Sequence, residues 1–233
     1  METSDQNAAR ERLHAVRSRM ESASRDCRRD PADIRLLAVS KGHPARAVEQ
    51  MADLGLAAFG ESYLQEAVEK IQALSGRGLE WHFIGPVQSN KTRAIAEHFD
   101  WVHSVDREKI IRRLGAQRPS ELSPLNVCLQ VNLDGEDQKA GCAPEAIGAL
   151  ADAVAEAPGL KLRGLMAIPA PREDPDEQLK VFSDLAEHFR ELAGRYPDVD
   201  TLSAGMSGDL EAAVRAGCNL VRIGTALFGP RPS

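Results

Sequence analysis

No apolar run in the chain approaches the ~20 residues that a helix needs to cross a bilayer. Residues Met1 to Arg12 are polar and charged, so no secretory h-region opens the sequence. These two absences make a cytoplasmic location without membrane contact the expectation. Cysteine is sparse: Cys27, Cys128, Cys142 and Cys218 lie far apart, with no CxxC pair. That spacing suits reduced thiols and argues against a disulfide frame or a zinc site. A positive excess is missing as well, because 29 Lys and Arg against 35 Asp and Glu give a net charge of −6. A nucleic-acid surface needs clustered cations, so nucleic acid is not an expected partner. The local run Arg25, Arg28, Arg29 reads as a solvated helix end. No interior Pro/Ser-rich linker divides the 233 residues, and one domain spanning 1–233 is expected.

What the sequence does contain is a rhythm. A helix opening near Ser4 or Asp5 carries Leu13, Val16 and Met20 on one face. After Pro31, short apolar runs occupy 35–40, 57–61, 80–85, 101–105, 126–132, 162–168, 201–206 and 220–228. Helix-like stretches lie between them at 45–54, 63–74, 91–98, 107–115, 144–155, 176–193 and 209–216. Parallel strands joined by crossover helices fit this period. Eight is the number at which such a sheet closes, so the expected fold class is α/β, a (β/α)₈ barrel with an extra N-terminal helix. The segment 169–175, rich in proline, is the longest strand-to-helix loop and reads as a mobile lid.

Sites in such barrels lie at the C-terminal ends of the strands, and the polar residues collect there. Lys41 follows the buried run LLAVS at 36–40. A desolvated lysine loses its proton more readily and becomes nucleophilic toward aldehydes; a lysine that snorkels to solvent is the alternative. Ser203, Gly205, Met206, Ser207 and Gly208 leave strand 7, and Gly224 with Thr225 leave strand 8. Backbone N–H groups in these two loops can cradle a phosphate. Arg222 interrupts the apolar run LVRI at 220–223, so it is either paired with a carboxylate or aimed at a ligand. Glu61 reads as a partner for a nearby cation. His82 and His103, on neighbouring strands, have no third ligand at metal-binding spacing, and no metal is expected. A lysine opposite a phosphate cradle describes pyridoxal 5′-phosphate (PLP), and equally a Schiff-base aldolase acting on a sugar phosphate.

The ordered motifs narrow this choice. They are AVSK (38–41), FGE (59–61) with QE (65–66), WHFIGPVQSNK (81–91), SVD (104–106) and QVN (130–132) with Lys139 and Gly141. GLM (164–166) with Ile168 and Pro169, GMS (205–207) and VRIGT (221–225) follow. Over nearly its whole length the chain resembles the PLP homeostasis proteins, the PLP-binding family with an alanine racemase-like barrel. The resemblance implies a PLP fold type III barrel lacking the C-terminal β domain, with PLP held as an aldimine on Lys41. It implies that Ser203, Gly205, Met206, Ser207, Gly224 and Thr225 surround the phosphate, with Arg222 near the pyridine nitrogen. Ser62, His82, Asn132 and Met166, in or after strands 2, 3, 5 and 6, complete the expected cofactor-binding set. Three departures stand out: Ser62 where the family has Asn, Gly42-His43 in place of Thr-Lys, and Ala204 in place of Met.

The function expected is a monomeric carrier or buffer in PLP homeostasis, with PLP-dependent apoenzymes as possible recipients and no robust catalysis. A racemase of the alanine racemase type is the alternative. It is disfavoured because the last run ends near Phe228, leaving only 229–233, and because Tyr63 and Tyr196, the two tyrosines, lie outside racemase motifs.

Overall fold

Side chains alternate across a strand, so a strand wrapped by helices buries one set against them and turns the other toward the barrel axis. The computed structural model describes residues 4–136 and 139–231 and shows this division throughout. Helix α1 (Ser4–Asp26) leads into β1 (Arg35–Val39), α2 (Ala45–Asp53), β2 (Ala58–Glu61), α3 (Leu64–Ala73), β3 (Glu80–Phe83) and α4 (Thr92–His98). Then come β4 (Trp101–Val105), α5 (Glu108–Gln117), β5 (Leu125–Gln130), α6 (Ile147–Glu156) and β6 (Leu160–Met166). The chain continues through α7 (Pro175–Arg195), β7 (Thr201–Ser203), α8 (Leu210–Ala216), β8 (Leu220–Ile223) and α9 (Thr225–Phe228). The strands form a closed barrel in the order β1 to β8, every pairing parallel, and β1 returns to β8 with Leu37 opposite Arg222. The eight-stranded barrel and its N-terminal helix are those the sequence rhythm predicts.

Outward residues such as Ala38, Phe59, Phe83, Val102, Val127, Val221 and Ile223 join the helices in one large core. Each fully buried large apolar side chain there contributes about 1.5–3 kcal/mol. A separate cluster of Trp101, Cys128 and Met166 packs inside the barrel. The guanidinium groups of Arg35 and Arg163 lie 5.3 and 4.6 Å from the Trp101 ring centroid, cation–π contacts that close the floor.

Two runs end earlier than the apolar pattern suggests. Run 201–206 is regular strand only as far as Ser203. Ala204 N and Gly205 O still bond β8, at Leu220 O and Arg222 N, before Gly205 (φ 95°) turns the chain away in a conformation that disfavours any Cβ. Run 220–228 leaves the sheet at Gly224, and Leu227 N and Phe228 N then donate to Gly224 O at 2.8 and 3.0 Å, closing a short helix. Apolarity alone does not separate a strand from a buried helical turn.

Helix α1 buries Leu13, Val16 and Met20, and its Arg19 grips Glu211 of α8 through two 2.8 Å bonds. The 25–29 run is not wholly solvated. Arg29 donates to Val214 O and Cys218 O at 2.7 and 2.8 Å, satisfying carbonyls at the end of α8. The 169–175 loop is pinned to the loop after β5. Asp134 accepts from Ala170 N, Arg172 Nη2 and Lys139 Nζ at 2.7, 2.6 and 2.9 Å.

Candidate ligand-binding site

Lys41 keeps the inward parity of Leu37 and Val39, so β1 delivers its amine to the C-terminal mouth of the barrel. There Lys41, Arg222, Arg231 and His43 line one cavity of about 360 Å³ with Val39, Ile84, Ile168 and the backbones of the two glycine loops. The volume lies in the ~300–1,000 Å³ range of small-molecule sites. The lining holds two arginines, Arg222 and Arg231, beside Lys41 and no carboxylate, which favours an anionic ligand. Lys41 is half-buried, and its amine is pushed below the ordinary lysine pKa. Burial is the main cause, the positive charges of Arg231 and Arg222 add to it, and Glu61 opposes it. An amine so placed is more often unprotonated and nucleophilic.

Backbone around Lys41 is held from outside the barrel. Ser40 and Glu61 have outward parity and meet Lys70 of α3. Lys70 Nζ donates to Glu61 Oε1 at 2.6 Å, to Glu66 Oε1 at 2.5 Å and to Ser40 O at 2.8 Å. Gly42 N donates to Glu66 Oε1 at 2.7 Å, so both residues flanking Lys41 are tied to this buried ion-pair cluster. Lys70 is thus the cation expected for Glu61. Burial raises the Glu61 pKa, against the hydrogen bonds from Lys70 and Ser40 that lower it.

Opposite Lys41, the N–H groups of Ser207, Gly208, Gly224 and Thr225 have no acceptor among the described residues. A Cβ on Gly208 would meet nothing within 4 Å, so that edge of the cradle is open. Arg222 is buried without a carboxylate partner among the described residues. Its Nη1 donates to Ser203 O and Oγ at 2.7 and 2.8 Å, and its Nη2 to Ala167 O at 2.9 Å. A guanidinium has five N–H donors, so two remain without an acceptor among the described residues. Burial lowers the Arg222 pKa to about 10, which leaves it charged at neutral pH.

The structure therefore brings Lys41, Met206, Ser207, Arg222, Gly224 and Thr225 to one cavity. Ser203 stands behind Arg222, and Gly205 O accepts from Arg222 N at 2.9 Å, so both touch the cavity through that residue. His82 and Met166 lie deeper in the barrel interior and are fully buried. Asn132 donates to Glu136 O at 2.8 Å, and Ser62 is half-buried after β2; neither lines the cavity. Sequence reading missed Lys70, Arg231 and the lining role of His43. Lys70 carried a signal, a lysine three residues after Ala67 on the buried face of α3, whereas Arg231 lies in a Gly/Pro tail with no pattern. His43 stacks on Phe228 at 5.1 Å. Its pKa is lowered by burial and by Lys70, Arg231 and Arg12, with Glu66 opposing. Among the described residues no group of three or more His, Cys, Asp or Glu could hold a metal ion, and no helix is long and apolar enough to cross a membrane.

A parallel barrel with its lysine at the end of β1 and an anion cradle after β7 and β8 defines a class, and residues 12–232 match the family described as "Alanine racemase, N-terminal domain". Two relatives called "Pyridoxal phosphate homeostasis protein" cover most of both chains. That of Pseudomonas aeruginosa is 56% identical over 221 residues, 95% of this chain and 95% of its own. That of Escherichia coli K12 is 53% identical over 222 residues, 94% of this chain and 95% of its own. The chain belongs to this family of pyridoxal phosphate homeostasis proteins. The structure of PipY from Synechococcus elongatus with PLP bound superposes with a TM-score of 0.82 at 35% identity, covering 95% of this chain and 100% of that one. An alanine racemase of Clostridium difficile shares the fold at a TM-score of 0.72 and 13% identity; the match covers 97% of this chain and 57% of the racemase.

Proposed function

We propose that the chain binds PLP, with Lys41 as its covalent attachment point, and acts in intracellular PLP homeostasis as a carrier or buffer. The observation that carries this reading is the meeting of three unsatisfied features in one cavity. These are an amine with a lowered pKa, a set of backbone N–H groups without acceptors, and a buried arginine with two spare donors. They match in turn the aldehyde, the phosphate and the ring nitrogen of PLP. When bound, PLP supplies an aldehyde that amines capture reversibly and a ring able to take up electron density.

Lys41 holds the aldehyde end, and the Lys70 cluster fixes the backbone on either side of it. Ser207, Gly208, Gly224 and Thr225 bind the phosphate through their N–H groups, and Arg231 adds charge at the mouth. Arg222 gives the ring nitrogen a donor that keeps its own proton. This disfavours protonation of that nitrogen and so restrains carbanion chemistry. Ser203 and Gly205 support Arg222 from behind, and His82 joins Ser203 through His103; Ser62, Asn132 and Met166 do not line the cavity.

A carrier needs no second acid or base, and the placement of the tyrosines supports this role over a racemase. Tyr63 is 53% exposed, Tyr196 bonds Asp152, and neither lines the cavity. In this account a single cytoplasmic barrel domain works as a monomer and yields PLP to apoenzymes. The test is a PLP titration of the purified protein. The account predicts a visible absorption band that survives gel filtration and is lost in Lys41→Ala. Absence of a band in wild type would contradict it, and turnover of an amino acid at enzymatic rates would favour the racemase.

A further inference from the structure

The barrel interior carries a line of polar side chains that the cavity lining does not explain. Inward parity places Glu80 and His82 on β3, His103 on β4, Ser203 on β7 and Arg222 on β8. His82, His103 and Ser203 are 0% exposed and Arg222 is 4% exposed, so each must find its partners inside the protein. They find one another. Arg222 Nη1 lies 2.8 Å from Ser203 Oγ, and Ser203 Oγ lies 2.9 Å from His103 Nδ1. His103 Nε2 is 2.9 Å from His82 Nδ1, and His82 Nε2 is 2.7 Å from Glu80 Oε1. The Glu80 side chain is 45% exposed, at the opposite end of the barrel from the cavity.

The two ends fix the direction of every bond between them. A guanidinium can only donate, so Ser203 Oγ accepts from Arg222. A hydroxyl could accept from His103 as well; it is the carboxylate at the other end, acting through two neutral imidazoles, that leaves His103 Nδ1 bare and sends the Ser203 proton to it. His103 then carries its proton on Nε2 and donates to a bare His82 Nδ1, and His82 donates from Nε2 to the carboxylate. The reverse order would set a bare His82 Nε2 against Glu80. The hydrogen bond from His82 holds the Glu80 pKa below its ordinary value, so that carboxyl is ionised and cannot donate back. Nor does an extra proton enter. Burial lowers the pKa of both imidazoles, and the other charges facing them are Arg35 and Asp100 at His82, and Arg35 and Arg222 at His103. Trp101 stacks on His82 at 5.2 Å and 10°, closing one face of that ring.

We infer that Glu80, His82, His103 and Ser203 form a proton-ordered relay along the barrel axis that holds Arg222 toward the ligand cavity, with Glu80 as its remote counter-charge. These are positioning residues: none of them lines the cavity. Every hydrogen bond in the chain is polarised the same way, so each strengthens the next. Asp209, Cys218 and Cys128 act on Arg222 through space, but among the described residues no carboxylate bonds to it, and the relay adds stabilisation from the far end of the barrel. That Arg222 faces a pyridine nitrogen rests on the function proposed above; the proton order does not.

The test has two arms. In the full-length, ligand-free chain labelled with ¹⁵N-histidine, His82 and His103 should both be neutral Nε2–H imidazoles, unchanged between about pH 5 and 8. Glu80→Gln keeps an acceptor and should keep these tautomers, whereas Glu80→Leu should move His82 out of the Nε2–H form. Glu80 is half-exposed and Gln is its isostere, so the first variant serves if the second does not fold. In the second arm, Ser203→Ala cuts the relay beside Arg222 and should speed PLP loss roughly tenfold, the effect of one charge-assisted hydrogen bond. Both Glu80 variants should shift the pH midpoint of the PLP visible band, Leu further than Gln. An Nδ1–H tautomer or an imidazolium at either histidine in folded protein overturns the relay. Wild-type midpoints in both Glu80 variants overturn its reach to Arg222. Wild-type protein that takes up no PLP defeats the proposed function instead, and the imidazole spectra then decide the relay alone.

Discussion

An amine set among cations gives up its proton more easily than one in water, and Lys41 has Arg231 and Arg222 beside it as well as partial burial. Only the free base attacks an aldehyde, so PLP uptake should rise with pH and level off above the pKa of Lys41. The inflection should fall below the ordinary value of 10.5. Removing a positive neighbour acts in the opposite sense. Arg231→Gln should move the inflection upward and slow uptake at neutral pH, as measured by stopped-flow absorbance across pH. An unmoved inflection would mean that Arg231 does not act on Lys41. At this scale the sequence is most legible where a residue breaks its surroundings. Lys41 and Arg222 do so by following or interrupting apolar runs, and both line the cavity. Arg231 and His43 break nothing locally, and their role exists only once the last turn of chain folds over Gly42 and the cavity mouth.

Between residue and molecule, the loops decide how the site is enclosed. The 169–175 loop reads as a lid in sequence, and its attachment depends on Asp134, a residue of another loop 36 positions from Ala170. Burial pushes the Asp134 carboxyl up, but hydrogen bonds from Arg172, Lys139 and Ala170 N outweigh it and bring the pKa to about 2 from an ordinary 3.8. A depressed carboxylate stabilises the fold above its unfolded pKa. This contribution should therefore be full above about pH 4 and lost as pH falls toward 2. Asp134→Asn should cost about 1–2 kcal/mol at neutral pH and remove that part of the acid dependence, read by denaturant melts across pH. It should also raise amide exchange in 169–175. Such a pairing of loops leaves no periodic mark, so the sequence gives no hint of it. The ends of the strands were hidden for a related reason. Residues 225–228 are as apolar as the strand before them, and only the turn at Gly224 makes them a helix.

At the scale of the whole molecule, barrel closure turns eight separate parities into one interior. The strand count and the alternation of strand and helix were legible, because the apolar periods repeat along the chain. The layering of that interior was not. Trp101, Cys128 and Met166 form one apolar cluster, a hydrogen-bonded line of His82, His103 and Ser203 runs beside it, and Arg222 with Lys41 faces the mouth. Met166 and His82 end or occupy strands just as the cavity residues do. Which inward residues reach the mouth depends on the register between strands, including the shift between Val127 and Cys128, which no single strand reveals. The central claim is that this interior presents Lys41 to PLP as its attachment point. Borohydride reduction of PLP-treated protein followed by peptide mass mapping tests it most directly. The account predicts one pyridoxyl phosphate group, on Lys41; a group on any other lysine, with Lys41 unmodified, would contradict it.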